Sequence, residues 1–273
     1  MSKMFKFGIV VDVVPLEALS REWEYLEVPA SIHADPVLSK KEWEEQKAVY
    51  TKDGRPCLAT SHLLGPGSSW MGGCGPYYDR ELIQFTLERE FKRMNELGCM
   101  YIGCWGGHFP CPDGFDKELA LDQAISTVNM MADYCEMYRM ELALEPQADL
   151  KTIFPRYLDA IEFAKMTGRR SVKAMADLNY FLELDQPLED ILKYPEYCIN
   201  VHIQGDGGAQ PNVGDREETL TRLFEILKEI DYDKGVSVGC PWVITNDAKE
   251  IDYRYETDKA LAFLQAIRTK VYG

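Results

Sequence analysis

The sequence of 273 residues has few positive charges and few histidines. Its 30 lysines and arginines stand against 45 aspartates and glutamates, which gives a formal net charge of −15, and it has 4 histidines. Proteins bind the phosphate backbone of nucleic acids mainly through Lys and Arg. The charge balance therefore argues against a nucleic-acid partner.

Long apolar runs and paired cysteine motifs are also missing. No stretch approaches the roughly 18 apolar residues of a transmembrane helix, and Met1–Val11 has no apolar region typical of a signal peptide. The 8 cysteines form no CxxC pair and no disulfide-type spacing. These features predict a soluble cytoplasmic protein with reduced thiols and no membrane partner.

Eight short apolar segments alternate with amphipathic ones along the sequence. Near-continuous apolar segments of this length are typical of parallel strands that are covered on both faces. The predicted strands are Lys6–Val13, Trp23–Val28, Cys57–His62, Cys99–Trp105, Met140–Glu145, Val172–Asp177, Tyr197–Ile203 and Gly235–Cys240.

Helix signals separate these strands. Ser39–Glu42 has the form of a capping box, and a helix is predicted to begin after Asp79 and to end at Gly98. Asp215 with Glu218 is expected to open the next-to-last helix and Thr257 to cap the last, while the first helix, about Pro15–Arg21, is short.

Eight strand–helix units in 273 residues predict an α/β protein with a (β/α)8 TIM-barrel fold. A doubly wound open sheet is the rival, but no GxGxxG motif follows any strand. No linker or change of composition divides the chain, so we expect a single domain over residues 1–273.

All four histidines lie at or after the carboxyl ends of predicted strands. His62 closes the third strand and His202 lies near the end of the seventh, while His33 and His108 follow the second and the fourth. Because barrels of this kind build their active sites on this face, the histidines indicate a functional site there.

Carboxylates end three of the same strands. Glu27, Glu145 and Asp177 close strands two, five and six, and a carboxylate is costly to bury without a cationic partner. Since Glu145, Asp177 and His202 come from three consecutive strands, they are candidate ligands of Mn²⁺, Mg²⁺, Co²⁺ or Zn²⁺. The alternative is a set of structural ion pairs with Lys173 or an arginine.

Aromatic residues and glycine-rich turns occur on the same face. Trp70, Trp105, Tyr77 and Trp242 suit the faces of sugar rings, although Trp105 fits the core equally well. Turns such as Gly65–Gly67 either let the backbone approach a polar ligand or are simply tight loops.

The sequence resembles the xylose-isomerase-like TIM barrels known as sugar phosphate isomerases/epimerases, whose wider superfamily includes endonuclease IV. The resemblance covers most of the chain, and the order of the matching segments carries it. These segments are Tyr25–Glu27, Pro112–Asp116 with Gln123, Leu144–Pro146, Asp177–Leu178, and His202 followed by Pro211–Asp215.

The resemblance implies that a divalent ion is held by a Glu, an Asp, a His and a Glu after strands five to eight. Glu145, Asp177 and His202 occupy the first three positions, but Gly239 stands where the second Glu is expected. Tyr180 stands where the family has a histidine after strand six, and Gly208 stands where it has an arginine after strand seven. Gln204 or Asp206 is then a candidate replacement ligand.

The loss of one carboxylate argues against epimerisation by two bases. The remaining groups suffice for proton abstraction α to the carbonyl of a keto-sugar or 3-oxo-glycoside, with manganese as the first candidate metal. We expect elimination or deglycosylation, as the resemblance to the large subunit of C-glycoside deglycosidases implies, with His108, His62 or Glu145 as acid or base. The alternatives are a ketose isomerase or 3-epimerase, and a non-catalytic barrel subunit in a hetero-oligomer.

The other polar and aromatic residues of this face are expected to bind a carbohydrate or glycoside. They are His33, Glu27, Trp105, Asp206, Tyr180 and Trp242. The resemblance further implies a homo-oligomer, or a hetero-oligomer with a small partner subunit.

Overall fold

The computed structural model describes residues 3–64 and 72–273, in which eight parallel strands close into a barrel. Each strand pairs with the next along the chain, and the last pairs with the first. The strands are β1 (Lys6–Val10), β2 (Tyr25–Pro29), β3 (Cys57–Ser61), β4 (Tyr101–Trp105), β5 (Glu141–Glu145), β6 (Val172–Asp177), β7 (Cys198–Ile203) and β8 (Gly235–Val238). The predicted (β/α)8 TIM barrel is confirmed.

Helices follow the strands and cover the outside of the barrel, where their apolar faces pack on the strands. The α-helices are α1 (Ala30–His33), α2 (Lys40–Asp53), α3 (Arg80–Leu97), α4 (Lys117–Tyr138), α5 (Tyr157–Thr167), α6 (Leu178–Glu183), α7 (Asp190–Lys193), α8 (Glu217–Glu229) and α9 (Tyr253–Tyr272). Short 3-10 turns lie at Leu16–Ala18, Gly106–His108, Pro195–Tyr197 and Asp206–Gly208.

Two helix starts were predicted correctly, because local side-chain hydrogen bonds define them. Ser39 and Glu42 form the capping box of α2, and the Asp79 carboxylate accepts the Leu82 N–H at the start of α3. Gly98 ends α3 in the left-handed conformation, at φ 85°.

Three other helix predictions were wrong. Helix α8 begins at Glu217, after Asp215, and the proposed first helix is reduced to the turn Leu16–Ala18. Helix α9 is capped by Asp252, whose carboxylate accepts the Tyr255 N–H. Thr257 lies one turn further on, where its hydroxyl donates to the Tyr253 carbonyl within the helix.

A tyrosine fills the barrel interior below the carboxyl ends of the strands. A Cβ atom at Gly8 or Gly235 would collide with the Tyr25 ring, so these two glycines make room for it. The Tyr25 hydroxyl lies 2.5 Å from the Ser237 hydroxyl, inside the barrel. This buried layer supports the polar residues above it.

All eight cysteines are unpaired, and all but the half-buried Cys111 are buried. Among the described residues, no helix combines the length and apolar character needed to cross a bilayer.

Candidate metal centre

Three side chains from neighbouring strands converge at the carboxyl end of the barrel. Glu145 ends β5, Asp177 ends β6 and His202 lies in β7, directly paired with Asp177 in the sheet register. Each side chain offers one ligand atom, and these atoms all lie within 4.8 Å of one another. All three residues are buried.

Glu27 lies fully buried beneath His202 and fixes the direction of its ring. The His202 Nε2–H donates to Glu27 Oε1 at 2.8 Å, while the other carboxylate oxygen accepts from Ser237 at 2.6 Å and Asn200 at 3.3 Å. Burial opposes ionisation of Glu27, but the charge and hydrogen bond of His202 outweigh it and lower the pKa to about 2. This carboxylate is therefore ionised and orients the imidazole.

This position corrects the expectation that Glu27 binds substrate. Its side chain has no exposed surface, and its oxygens are occupied by protein donors. A carboxylate that accepts one ring N–H of a histidine leaves the other nitrogen for a metal. Here His202 Nδ1 is that nitrogen, and it lies 3.6 Å from Asp177 and 3.8 Å from Glu145.

Without a metal ion, bound protons balance the negative charge of the cluster. Burial raises the pKa of Glu145 to about 8, and the nearby carboxylates of Asp177 and Glu27 add to the shift. Burial disfavours the His202 cation, but Glu27 and Asp177 outweigh it and raise the pKa of the imidazole well above its usual range. A divalent cation would replace these protons, since metal ligands bind deprotonated.

Gln204 extends the cluster toward the end of β8. Its Nε2 donates to Asp177 Oδ2 at 3.0 Å and to the Gly239 carbonyl at 3.1 Å. Its Oε1 is buried and has no hydrogen-bond partner among the described residues. Because an unsatisfied buried oxygen is costly, this atom suits a cation as its partner.

Gly239 lies beside His202, at the position where the resemblance expects a carboxylate. A Cβ atom there would lie 3.6 Å from His202 Nδ1 and 3.0 Å from Val10 Cγ2. The cavity in front of the cluster therefore reaches the end of β8.

The cavity has a volume of about 460 Å³ and opens on the carboxyl face of the barrel. No lysine or arginine is found among the described residues that line it. The lining residues are Val10, Asp12, Val13, Ser61, His62, Glu145, Asp177, Tyr180, His202, Gln204, Gly239, Cys240, Pro241, Trp242 and Tyr253. His62, Tyr180 and Trp242 thus share one cavity with the cluster.

The His62 imidazole lines this cavity, in surroundings that favour its neutral form. Burial lowers the pKa of its imidazole from the usual 6.5, with the charge of Glu27 opposing the shift. Its backbone adopts a left-handed conformation, φ 52°, directly after β3.

Two predicted histidines lie outside the described cavity wall. Both ring nitrogens of His33 are in protein hydrogen bonds, Nε2 with the Val11 carbonyl and Nδ1 with the Gln46 amide, each at 2.8 Å. His108 is 2% exposed, and its ring packs edge-on against Trp105. Contact of either imidazole with substrate is therefore not supported.

Trp105 and Asp206 also form their contacts with other residues of the protein. The Trp105 indole donates to Gln147 Oε1 and, at 3.1 Å, to the Tyr180 hydroxyl, and so it positions that hydroxyl at the cavity. Asp206 is exposed and forms an ion pair with Arg216 at 2.6 Å. It serves neither as a cluster ligand nor as part of the described wall.

Other residues of the site were missed in the sequence. Asp12, Ser61 and Tyr253 line the cavity, and Asn200 and Ser237 hold Glu27. A polar residue inside an apolar strand is a signal that could have identified Asn200 and Ser237. The predicted Gly65–Gly67 turn and Trp70 lie outside the described residues, and Tyr77 is 77% exposed.

Replacing Glu27 with glutamine is expected to weaken divalent-metal binding by about 10- to 100-fold, because His202 loses the carboxylate that orients it. Isothermal titration with Mn²⁺ measures the effect. Glu24→Gln is the matched control, since Glu24 precedes β2 at the opposite end of the barrel, where it accepts the Phe7 N–H. Equal affinities of the two variants would contradict the assigned role of Glu27.

Comparisons place this chain among known proteins. A family model described as xylose isomerase-like TIM barrel matches residues 22–267. No curated protein sequence gives a significant match.

Solved structures share the fold at low sequence identity. A 3-keto-D-glucoside 4-epimerase from E. coli is 17% identical, with a TM-score of 0.75 over 96% of this chain and 100% of that chain. A D-psicose 3-epimerase from Clostridium cellulolyticum H10, solved with D-tagatose, is 20% identical, with a TM-score of 0.77 over 97% and 99%. An AP endonuclease of family 2 from Brucella melitensis is 15% identical, with a TM-score of 0.73 over 96% and 99%.

Proposed function

Because this chain belongs to the xylose isomerase-like TIM barrel family, we propose that it is a divalent-metal enzyme that removes a proton α to the carbonyl of an uncharged keto-sugar or 3-oxo-glycoside. One observation carries the proposal: His62, a neutral base, lines the same cavity as the cluster of Glu145, Asp177 and His202. The lack of lysine and arginine in the described wall favours an uncharged sugar over a sugar phosphate.

The residues fit a divalent metal ion. Two carboxylates, one imidazole and the partnerless Gln204 Oε1 are the oxygen and nitrogen donors that suit Mn²⁺, with Mg²⁺, Co²⁺ and Zn²⁺ as the other candidates. When bound, such an ion polarises carbonyl and hydroxyl oxygens and so acidifies the neighbouring C–H bond.

The protein's own groups carry the proton transfer. His62 takes the proton from C2 of a 3-oxo-glycoside, and the electron pair of that C–H bond forms a C1–C2 double bond as the bond from C1 to the aglycone breaks. The aglycone leaves with the electron pair of that bond. Burial raises the pKa of Tyr180, which stays protonated, and its hydroxyl accepts the Trp105 N–H, so its own proton remains for a substrate oxygen.

A sugar epimerase is the second candidate, favoured by the similarity in fold to the 3-keto-D-glucoside 4-epimerase and the D-psicose 3-epimerase. Both candidates begin with removal of an α proton. They differ in the fate of the electron pair of the broken C–H bond, which either expels a group from the neighbouring carbon or takes up a proton on the other face.

One experiment separates these outcomes. The Mn²⁺-loaded protein is incubated with 4-nitrophenyl 3-oxo-β-D-glucoside in D₂O and followed by proton NMR and by the absorbance of 4-nitrophenol. We expect loss of the C2 proton signal together with release of 4-nitrophenol. Deuterium uptake with a new diastereomer would establish the epimerase, and an unchanged spectrum with this and other keto-sugars would favour a non-catalytic subunit.

Replacing Gln204 with leucine is expected to lower Mn²⁺ affinity by about tenfold or more, since the amide oxygen is lost as a ligand. Gln204→Glu keeps an oxygen there and adds a charge, so it should bind Mn²⁺ at least as tightly as wild type. Isothermal titration compares the three proteins. Wild-type affinity in Gln204→Leu would show that Oε1 is no ligand.

A further inference from the structure

One wall of the cavity is built by a segment without helix or strand. Residues 239–252 connect β8 to α9, and Gly239, Cys240, Pro241 and Trp242 from this segment line the cavity. Trp242 is 9% exposed, whereas the next residues, Val243 and Ile244, are 41% and 38% exposed. Because the segment lacks the regular backbone hydrogen bonds of a helix or strand, other parts of the chain must hold Trp242 in place.

Gln210 supplies the first attachment, from the connection between β7 and α8. Its side-chain Nε2 donates to the Val243 carbonyl at 2.7 Å, and its Oε1 accepts the Val243 N–H at 3.0 Å. The amide thus satisfies both backbone groups of the residue that follows Trp242. Gln210 is fully buried, which fixes the geometry of this pair of bonds.

Glu256 supplies the second attachment, from the first turn of α9. Its Oε1 accepts the Thr245 N–H at 2.7 Å, and its Oε2 accepts the Thr245 hydroxyl at 2.7 Å and Gln210 Nε2 at 3.1 Å. The residue is 1% exposed, and its carboxylate is stabilised by these three donors near a helix N-terminus.

The connection that carries Gln210 is itself held by backbone hydrogen bonds. The Gly205 N–H donates to the Ala209 carbonyl at 2.7 Å, and the Val213 N–H donates to the Gln210 carbonyl at 2.9 Å. Gly205 directly follows Gln204, the proposed fourth ligand. The same connection therefore joins the cluster to the wall that carries Trp242.

We propose that Gln210 and Glu256, which we name the clamp, are positioning residues that hold Trp242 as the wall of the substrate cavity and so determine which sugar or aglycone fits there. The inference rests on the proposed function only for its effect on substrate. Neither clamp residue belongs to the cluster or to the described cavity wall, and their side chains reach that wall through hydrogen bonds to Val243 and Thr245.

The test compares Gln210→Met, which keeps the length of the side chain and removes its hydrogen bonds, with wild type. In protein labelled with 5-fluorotryptophan, the Trp242 resonance is assigned through Trp242→Phe and is expected to shift or broaden in Gln210→Met. Hydrogen exchange of the backbone amides of residues 243–245 should accelerate by about tenfold or more. Mn²⁺ affinity should stay unchanged.

Kinetics with 4-nitrophenyl 3-oxo-β-D-glucoside test the effect on substrate. We expect KM to rise by about tenfold with kcat changed by less than about twofold, because the wall binds substrate and the cluster is intact. Gln265→Met is the matched control, since Gln265 is in α9 and donates a single surface hydrogen bond to Glu22. It should match wild type in every measurement.

A charge exchange adds a second, independent variant. Gln210→Glu places a carboxylate beside Glu256 and should loosen the segment, whereas Gln210→Glu combined with Glu256→Gln removes the repulsion and should restore part of the Trp242 signal. An unmoved Trp242 resonance with unchanged amide exchange in Gln210→Met would overturn the clamp. A displaced Trp242 with unchanged KM would overturn its role in substrate selection.

Failure of the proposed function would give a different set of results from failure of the clamp. If the wild-type protein removes no α proton from any keto-sugar, the fluorine spectra and the amide exchange still decide whether the clamp positions Trp242.

Discussion

The Glu145→Gln protein is expected to retain almost no divalent metal, whereas wild type loaded with Mn²⁺ and desalted should hold about one equivalent per chain. The substitution removes one of two carboxylates in the three-residue cluster. The loss of affinity should exceed the 10- to 100-fold expected for the supporting Glu27, because Glu145 is itself a proposed ligand. Elemental analysis measures the metal content directly.

The same variant should fold as stably as the metal-free wild type. The pKa of about 8 keeps Glu145 mainly protonated at pH 7, so glutamine replaces a neutral carboxyl group of the same shape. The melting temperatures without metal are therefore expected to agree. With Mn²⁺ present, only wild type should gain stability, since a ligand that binds the native state alone stabilises it.

Glu141→Gln is the control for this comparison. Glu141 begins β5, at the opposite end of the strand that Glu145 ends, and it is half-buried. This variant should bind Mn²⁺ as wild type does. Metal content of Glu145→Gln equal to that of Glu141→Gln would remove the basis of the proposed metal centre.

The strands and the cluster could be predicted because apolar segments alternate with amphipathic ones along the sequence. The apolar segments predicted all eight strands to within a few residues, and Val172–Asp177 matched the observed bounds of β6. Since the fold puts the carboxyl ends of all strands on one face, Glu145, Asp177 and His202 had to lie close together.

The direction of a side chain beyond a strand end could not be predicted in the same way. His33 and His108 follow β2 and β4 on the expected face, yet α1 and the 3-10 turn Gly106–His108 turn them away from the described cavity wall. The position of the Glu27 side chain, inside strand β2, could not be predicted either. It lies at the correct end of the barrel but one layer below the cavity, where it supports His202.

Long-range polar contacts could not be predicted from the sequence either. Gln210 and Glu256 lie 46 positions apart in the chain and meet only because the barrel brings the connection after β7 next to the start of α9. Neither residue stands out by composition or spacing. A buried Gln and a buried Glu become informative once their partners, Val243 and Thr245, are known.

Replacing His62 with asparagine is expected to lower the rate of α-proton removal by about 10²- to 10⁴-fold, the usual contribution of a general base. Asparagine is chosen because His62 adopts φ 52°, a conformation that asparagine tolerates better than most residues. Metal content should match wild type, because His62 is not among the cluster residues. Proton NMR of 4-nitrophenyl 3-oxo-β-D-glucoside in D₂O measures the loss of the C2 proton signal.

The pH dependence gives this prediction a second check. Only the neutral imidazole accepts a proton, and burial lowers the pKa of His62 below 6.5. The wild-type rate should therefore hold down to that value and fall as the pH drops through the lowered pKa, while the residual rate of His62→Asn should lack this step. His33→Asn is the matched control: both its ring nitrogens are engaged with Val11 and Gln46, so it should lose stability and keep its rate of α-proton removal per folded molecule. A His62→Asn protein that removes the α proton as fast as wild type would exclude His62 as the base. Asp12, a carboxylate of the described cavity wall just after β1, would then be tested in its place.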